Sequence, residues 1–380
     1  MSSWPTLDDG DVDERLVTAL CRAAQGEPGS AEAAVREHVR RVAPLAGVVQ
    51  RERLVGAAVA RLDGLGPLDA LIRDVAVDEV LVNGGGEIWV ERAGELRRRG
   101  SIAATDLAVV IERILAPLGR RLDRTTPIVD ARLADGTRVC AVVPPISIDG
   151  TILSLRRFRA EPLPVTAFGG PAVSAALAEL VERRCNTVIS GATSSGKTSL
   201  MSSLLGLTRP GERIVLLEDT AELAPLADHV VRLEARPASN DGVAAISVEQ
   251  LLHTALRLRP DRLVVGEVRG PEVLGLVQAL NTGHDGSWST CHANSAVDAL
   301  HRLETLVVQA APAWPLRAVR DHLVRCIDAV VHVERDAGGA RRVGEIAEVF
   351  DRDGVPATRS VVAGGERVGV LGRSRVAGRR

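Results

Sequence analysis

Residues 191–200 read GATSSGKTSL, and this stretch decides the fold. It follows a short apolar run, TVIS at 187–190, and leads into a predicted helix, SLMSSLLGL at 199–207. A strand, a loop fitting G-x-x-x-x-G-K-[ST] and a helix in that order bind phosphate, because the backbone N–H groups of the loop and of the helix N-terminus point at the anion. The sequence therefore predicts a phosphate loop made of Gly191, Ala192, Thr193, Ser194, Ser195, Gly196, Lys197, Thr198 and Ser199.

Lys197 is the only lysine among 47 basic residues, so the other 46 are arginine. In a chain that uses arginine so widely, a retained lysine indicates a place where the compact ammonium is needed. We expect Lys197 to reach the β- and γ-phosphate oxygens and Thr198 to hold Mg²⁺. A guanine-reading [NT]KxD motif needs a second lysine, which the chain does not contain, and this favours ATP as the nucleotide.

Short apolar strands alternate with helices after residue 173, a pattern typical of a mostly parallel sheet with helices on both faces. We therefore predict an α/β fold in which this phosphate-loop domain is preceded by a smaller mixed α+β domain and a short helical segment. Three prolines and two glycines in RAEPLPVTAFGGPA predict a linker, and the glycine- and arginine-rich end predicts a flexible, solvated tail. The predicted organisation is a helical segment at 1–62, an α+β domain at 63–158, a linker at 159–172, the phosphate-loop domain at 173–350 and a tail at 351–380.

Acidic residues follow two of the predicted strands. Glu218 ends one strand in RIVLLEDTAEL, and Glu267 follows another in DRLVVGEVRG. The carboxyl ends of parallel strands meet at one edge of a sheet, so both carboxylates are expected beside the phosphates. There Glu267 would bind the water shell of Mg²⁺ and position or activate the attacking water, with Glu218 assisting. Asp219 and Glu222 also fit a helix capping box, and this alternative stays open.

The stretch NTGHDGSWSTCHANS at 281–295 places His284 and His292 around another predicted strand. Cys291 next to His292 raises the question of a zinc site, but no second close pair of ligands is present in the sequence. Imidazoles that sense the γ-phosphate fit this neighbourhood better. Both histidines are therefore expected in the catalytic site.

Composition excludes several other classes of protein. Five cysteines without a CxxC pair favour a reducing cytosol over a disulfide framework, and no run of about 18 apolar residues is long enough to span a membrane. The acidic start MSSWPTLDDGDVDER does not fit a secretory signal, which favours a cytoplasmic protein. A net charge of -2 and only 2% aromatic residues indicate that nucleic acid is not the expected partner.

The order of these motifs resembles the motor ATPases of type II and type IV secretion, nearest to the tight-adherence (Tad/Flp) pilus branch, with conjugation-type ATPases close by. The similarity extends from GPLDALIRDVAVDEVLVNG at 66 to about residue 335. It implies a RecA-like ATPase domain in which Glu218 belongs to an acidic box and Glu267 to an atypical Walker B motif. It also implies that His284 and His292 form a histidine box.

The same resemblance implies arginines of the N-terminal domain that reach the γ-phosphate. Arg138 in GTRVCAVV and Arg156 in ILSLRRF match best, and Arg157 is the adjacent rival. The family further implies a homohexameric ring that works with inner-membrane platform proteins in pilus assembly or protein export, bound to the cytoplasmic membrane through those partners. Two alternatives stay open: a nucleic-acid translocase on the same core, and a nucleotide-switched scaffold without turnover.

Overall fold

The computed structural model describes residues 13–92, 94–133, 135–157, 163–238, 243–336 and 338–376, and the statements below concern those residues. The chain divides into two compact units, residues 1–159 and 160–380. Every predicted segment has some residues outside the described ones: 1–12 of the helical segment, 93, 134 and 158 of the α+β domain, 159–162 of the linker, 239–242 and 337 of the phosphate-loop domain and 377–380 of the tail. In the described part of the chain, no helix combines the length and apolarity needed to cross a membrane.

The first unit begins with three helices that share a core of their own. Asp13 and Ser30 cap the first two by accepting hydrogen bonds from Arg15 N (2.9 Å) and Ala33 N (3.2 Å). Apolar residues at helical spacing fill the core, and Leu20, Val35 and Leu54 are among those fully buried. The helices are α1 (Glu14–Ala24), α2 (Ala31–Val42) and α3 (Val48–Leu62).

A six-stranded antiparallel sheet forms the rest of this unit. The strands at residues 79–82, 87–92 and 138–142 alternate buried and less buried residues, and the helix at residues 104–115 contributes buried residues such as Leu107 and Ile111 to the same core. The elements are α4 (Asp69–Arg73), β1 (Glu79–Val82), β2 (Glu87–Arg92), β3 (Glu95–Ser101), α5 (Ala104–Leu115), β4 (Ile128–Arg132), β5 (Arg138–Val142) and β6 (Ile152–Arg156). The strand order is β3-β2-β1-β6-β5-β4.

The second unit alternates strands and helices, as the sequence predicts. Its elements are α6 (Pro171–Glu182), β7 (Thr187–Gly191), α7 (Lys197–Leu205), β8 (Ile214–Glu218), β9 (Val230–Glu234), α8 (Val248–Ala255), β10 (Arg262–Val265), α9 (Glu272–Asn281), β11 (Trp288–His292), α10 (Ala296–Ala310), α11 (Leu316–Cys326), β12 (Ala329–Arg335), β13 (Arg341–Arg352), β14 (Val355–Ala363) and β15 (Glu366–Arg367). Ser247 and Gln250 form a complete capping box at the start of α8.

Six strands of this unit pair in parallel, in the order β12-β7-β11-β10-β8-β9. Strands β7, β8 and β10 are buried along their whole length, because helices cover both faces of the sheet. The carboxyl ends of the parallel strands meet at one edge. Gly191 ends β7, Glu218 ends β8 and His292 ends β11, so the fold brings these distant parts of the sequence to that edge.

The prediction of a flexible tail at 351–380 is wrong for residues 351–376, which the structure describes. Strands β13, β14 and β15 extend the sheet antiparallel beyond β12, and Leu371 is 2% exposed. Beyond them, Arg373 and Arg375 bind the carboxylate of Asp328, which is itself buried. The segment is ordered because the hairpin completes a sheet edge and the two arginines neutralise a buried acid.

Candidate nucleotide-binding site

The loop between β7 and α7 has the backbone of an anion-binding turn. Gly191 (φ 152°), Ser194 (φ 59°) and Gly196 (φ 108°) have positive φ. A Cβ atom at Gly191 would lie 2.2 Å from the Val333 carbonyl oxygen, so only glycine fits there. Helix α7 begins at Lys197 without a side-chain cap, which leaves its first N–H groups directed into the loop.

Lys197 is 7% exposed and lies within the loop. Its Nζ donates hydrogen bonds to the carbonyl oxygens of Gly191 (2.9 Å) and Ala192 (2.8 Å). The same atom lies 3.3 Å from Nδ1 of His292 at the end of β11. Burial lowers the pKa of Lys197, and the nearby Glu267 carboxylate opposes that shift.

Glu267 follows β10 and faces His292 on the neighbouring strand. Its Oε1 lies 2.7 Å from His292 Nε2, and its Oε2 accepts a hydrogen bond from the guanidinium of Arg269. The atoms are close, but they are not aligned as a hydrogen bond. Oε1 is buried, and it therefore has no hydrogen-bond partner among the described residues. Burial first, and the Lys197 ammonium second, lower the pKa of His292 and favour its neutral form.

Glu218 is buried at the end of β8, with 4% exposure. Its Oε1 accepts hydrogen bonds from the backbone N–H groups of Glu222 (2.7 Å) and Leu223 (2.8 Å). Burial raises the pKa of Glu218 to about 7, although these two hydrogen bonds act to lower it. The alternative that Asp219 and Glu222 cap a helix is wrong, because residues 219–229 form no helix and Glu218 holds the loop instead.

Close packing fixes the position of the segment that carries Glu267. A Cβ atom at Gly266 would lie 2.9 Å from Cγ of Glu218, so glycine lets the two acidic segments approach. Thr290 on β11 donates a hydrogen bond from Oγ1 to the Gly266 carbonyl (2.7 Å) and accepts one at its carbonyl from Val268 N (2.8 Å). Strand β11 thus supports the Glu267 segment from the side.

Sequence reasoning did not identify three arginines that lie at this site. Arg269 binds Glu267, as described above. From β12 and β13, Arg335 donates to the carbonyl of Ser194 (2.9 Å), and Arg341 lies 3.4 Å from the Ser199 hydroxyl. Nothing in the sequence distinguishes Arg335 and Arg341 among 46 arginines, because only the fold of β12 and β13 brings them to the loop.

His284 does not join His292, and the prediction that places both in one site is wrong within this unit. Strand β11 pairs with β7 so that Trp288 faces Thr187 and His292 faces Gly191. His284 precedes β11 and therefore lies at the opposite edge of the sheet, where its Nδ1 is 3.1 Å from the Ala279 carbonyl. Strand β11 advances four residues from Trp288 to His292. At the rise of an extended chain, the edge that carries His284 is therefore about 13 Å from the edge that carries the phosphate loop.

The arginines predicted for the N-terminal domain are neighbours in the first unit. Arg138 at the start of β5 pairs in register with Arg156 at the end of β6, and both are exposed. Arg157, the rival, donates instead to the backbone carbonyls of Val77 (3.1 Å) and Ile72. This geometry favours Arg156 over Arg157 as the arginine available to a ligand.

The site has the donors and acceptors that a nucleotide with Mg²⁺ requires. The Ser195 hydroxyl is buried in the loop and makes no hydrogen bond to any described residue. Thr198 in the first turn of α7 and Glu267 supply oxygen atoms, the ligands that Mg²⁺ prefers. The described residues contain no group of three or more His, Cys, Asp or Glu side chains able to hold a metal ion.

Three comparisons place the chain among known proteins. The sequence profile of the family described as type II/IV secretion system protein matches residues 61–369. A putative conjugal transfer protein of Mycobacterium tuberculosis is 40% identical over 306 residues, which are 77% of this chain and 86% of that protein. The conjugal transfer protein TrbB of Rhizobium radiobacter is 33% identical over 76% of this chain and 88% of its own.

Among solved structures, the pilus retraction motor PilT with bound ADP has a TM-score of 0.54 and 20% identity, covering 76% of this chain and 80% of that one. At this identity, the likeness shows a shared fold. The profile and the two relatives confirm the resemblance to secretion proteins that the motifs predict, whereas the Tad/Flp branch stays a prediction.

Proposed function

Since this chain belongs to the type II/IV secretion system protein family, we propose that it is a motor that hydrolyses ATP to drive pilin polymerisation or protein export. One observation carries the proposal: Lys197 of the phosphate loop, His292 and Glu267 make a continuous series of contacts at the carboxyl edge of the sheet. These contacts connect the proposed phosphate-binding loop to a carboxylate that can accept a proton.

The phosphates of ATP would lie against the N–H groups of residues 192–199. Lys197 would exchange its bonds to the Gly191 and Ala192 carbonyls for the β- and γ-phosphate oxygens. Ser195, whose hydroxyl is buried and unpartnered among the described residues, would donate to a phosphate oxygen. Thr198 and, through a water molecule, Glu267 would hold Mg²⁺, which supplies positive charge to the phosphates when bound.

Glu267 would act on the attacking water. Its Oε1 has no aligned hydrogen-bond donor among the described residues, so it can accept a proton as the water oxygen bonds to the γ-phosphorus and the bond to ADP breaks. Neutral His292, with Nδ1 facing Lys197 and Nε2 facing Glu267, would connect the loop to this carboxylate and so respond to the γ-phosphate. Glu218 has a pKa near 7 and would assist in the proton transfer.

The second unit would adopt the RecA-like arrangement, and its site would be completed by Arg138 and Arg156 in a homohexameric ring. Their side-by-side exposed position supports this assignment. The bound ADP of the PilT structure supports nucleotide binding by the shared fold. The expected partners are platform proteins of the cytoplasmic membrane.

Purified full-length chain should release phosphate from ATP, and turnover per chain should rise with protein concentration as subunits complete each other's sites. Light scattering on the same samples gives the oligomeric state. Arg138→Ala and Arg156→Ala should each lower turnover by on the order of 10³, the loss expected when an arginine finger is removed. Arg98→Ala, on β3 of the same sheet and bound only at the surface to Glu87 (3.2 Å), is the matched control and should change little. Constant turnover per chain in a confirmed monomer would refute the shared site.

A further inference from the structure

The loop that joins α2 to α3 and the first turn of α3 together expose large aliphatic side chains. Leu45 is 99% exposed, Val48 77% and Val49 68%. The same loop is anchored in the bundle core through Ala43 and Ala46, which are 3% and 7% exposed. The chain therefore buries the two alanines of this segment and exposes its larger aliphatic side chains, although larger apolar side chains gain more from burial.

Basic residues surround these side chains. Residues 36–53 contain five arginines and two glutamates. One of the glutamates, Glu52, is bound by Arg36 with hydrogen bonds of 2.7 and 2.9 Å. The arginines next to the loop are Arg40, Arg41, Arg51 and Arg53, of which only Arg51 is partly buried. The result is an apolar centre with a cationic rim, the composition that binds an anionic bilayer surface.

This end of α3 is remote from the place where the bundle joins the sheet. Arg61, near the other end of α3, forms an ion pair with Asp106 of α5 (2.8 Å), and its carbonyl accepts from Arg113 (2.9 Å). Thirteen helical residues separate Val48 from Arg61, a distance of about 20 Å. The helices α1–α3 also lie almost wholly outside the residues 61–369 that match the family. The loop is therefore a feature of the added bundle, held away from its attachment.

We propose that this loop and the first residues of α3, which together we call the bundle tip (residues 43–49), bind an anionic lipid surface directly. Leu45, Val48 and Val49 enter the headgroup region, and the flanking arginines contact lipid phosphates. This binding does not require ATP hydrolysis. If the chain forms the proposed ring, the tips of several subunits act together and strengthen the attachment.

The test is co-sedimentation of the full-length chain with phosphatidylcholine vesicles that contain or lack phosphatidylglycerol. Unmodified protein should bind the vesicles with phosphatidylglycerol, and added salt should weaken the binding because it screens exposed charges. A triple variant, Leu45→Ser with Val48→Ser and Val49→Ser, should lose at least about tenfold in bound fraction. Arg40→Gln with Arg53→Gln should lose about fivefold for each arginine removed.

A double variant, Ile146→Ser with Ile148→Ser, is the matched control. These residues are 55% and 93% exposed in the same unit, but residues 139–151 around them contain no arginine. This control should bind vesicles like the parent. Equal binding to uncharged vesicles, or full binding by the triple variant, would overturn the proposal. Loss of vesicle binding together with a smaller oligomer in light scattering would also overturn it, because the tip would then be a contact between copies of the chain. ATP turnover, measured in parallel, tests the proposed function separately.

Discussion

Nε2 of His292 lies 2.7 Å from Oε1 of Glu267, although the two residues come from different strands. The other ring nitrogen, Nδ1, faces the Lys197 ammonium at 3.3 Å and must accept there, so the neutral ring carries its proton on Nε2. The lowered pKa of His292 agrees with this neutral state. A ligand that draws Lys197 toward phosphate therefore changes the surroundings of the imidazole that touches Glu267.

Glu267→Gln keeps the shape of the side chain and removes the carboxylate. ATP should still bind, because Lys197 and the loop are unchanged, while turnover should fall by roughly 10² or more. Equilibrium binding of a fluorescent ATP analogue and phosphate release measure the two effects separately. Near-normal turnover would transfer the proton-accepting role to Glu218.

Ser195→Ala removes a hydroxyl that is buried and makes no hydrogen bond to a described residue. The melting temperature of the nucleotide-free chain should therefore be unchanged or slightly higher. Affinity for ADP should fall by roughly tenfold, because a hydrogen bond to a charged group contributes about 1.5 kcal/mol or more. Thr193→Ala, an exposed position in the same loop, is the control. Lower stability without loss of affinity would contradict a role in phosphate binding.

Glu218 makes the stability of the chain depend on pH. Burial raises its pKa from 4.5 to about 7 in the folded state. The folded chain therefore binds this proton more tightly than the unfolded chain, and the associated stability is fully present below 4.5 and lost as pH rises through 7. Glu218→Gln keeps the oxygen that accepts from Glu222 and Leu223 but cannot ionise.

The advantage of Glu218→Gln over the parent should accordingly grow between about pH 5 and about pH 8, by on the order of 2 kcal/mol in the free energy of unfolding. Urea unfolding at the two pH values measures it. Glu234→Gln is the matched control, because Glu234 also accepts a backbone hydrogen bond, from Ala221 N (3.0 Å), but is exposed. An advantage that is the same at both pH values would show that Glu218 ionises normally.

Local patterns predict the local parts of this structure well. The phosphate loop follows from one strand-loop-helix segment, because its shape depends on contacts between near neighbours in sequence. Glu218 and Glu267 could be placed at one edge because parallel strands align their carboxyl ends. The site assignments themselves stay predictions.

Contacts between residues that are far apart in the chain could not be predicted from the sequence. Arg335 and Arg341 reach the loop from strands more than 130 residues away, and no local signal separates them from the other arginines. The prediction that His284 lies beside His292 fails because strand β11 lies between them. The eight residues from one histidine to the other cross the sheet from one edge to the opposite edge. The described part of the tail is ordered by its partners, above all Asp328, and not by its own composition.

Arg375→Ala should destabilise the folded chain by roughly 1–3 kcal/mol, because it removes one partner of a buried carboxylate. Asp328 would keep Arg373 (3.2 Å) and the backbone N–H of Asn186 (2.8 Å), which limits the loss. Arg342→Ala is the control: its pair with Glu334 (2.7 Å) is more than one third exposed on both sides and should contribute less than about 1 kcal/mol. Unfolding midpoints in urea compare the two, and equal effects would mean that the C-terminal contacts do not hold the sheet.

Lys197→Arg keeps the charge and tests why one lysine survives among 46 arginines. The ammonium is 7% exposed and fits between the carbonyls of Gly191 and Ala192, each within 2.9 Å. A guanidinium is wide and planar and needs a broader surface for its hydrogen bonds, so it cannot occupy that space without displacing the loop. Turnover should fall by on the order of 10² to 10³, nearly as far as in Lys197→Ala, the scale expected when one preorganised donor is lost.

The melting temperature without nucleotide should change little in either variant, which separates loss of function from loss of fold. Turnover by the arginine variant within about threefold of the parent, far inside that expected loss, would mean that the charge alone suffices and that the lone lysine is an accident of composition.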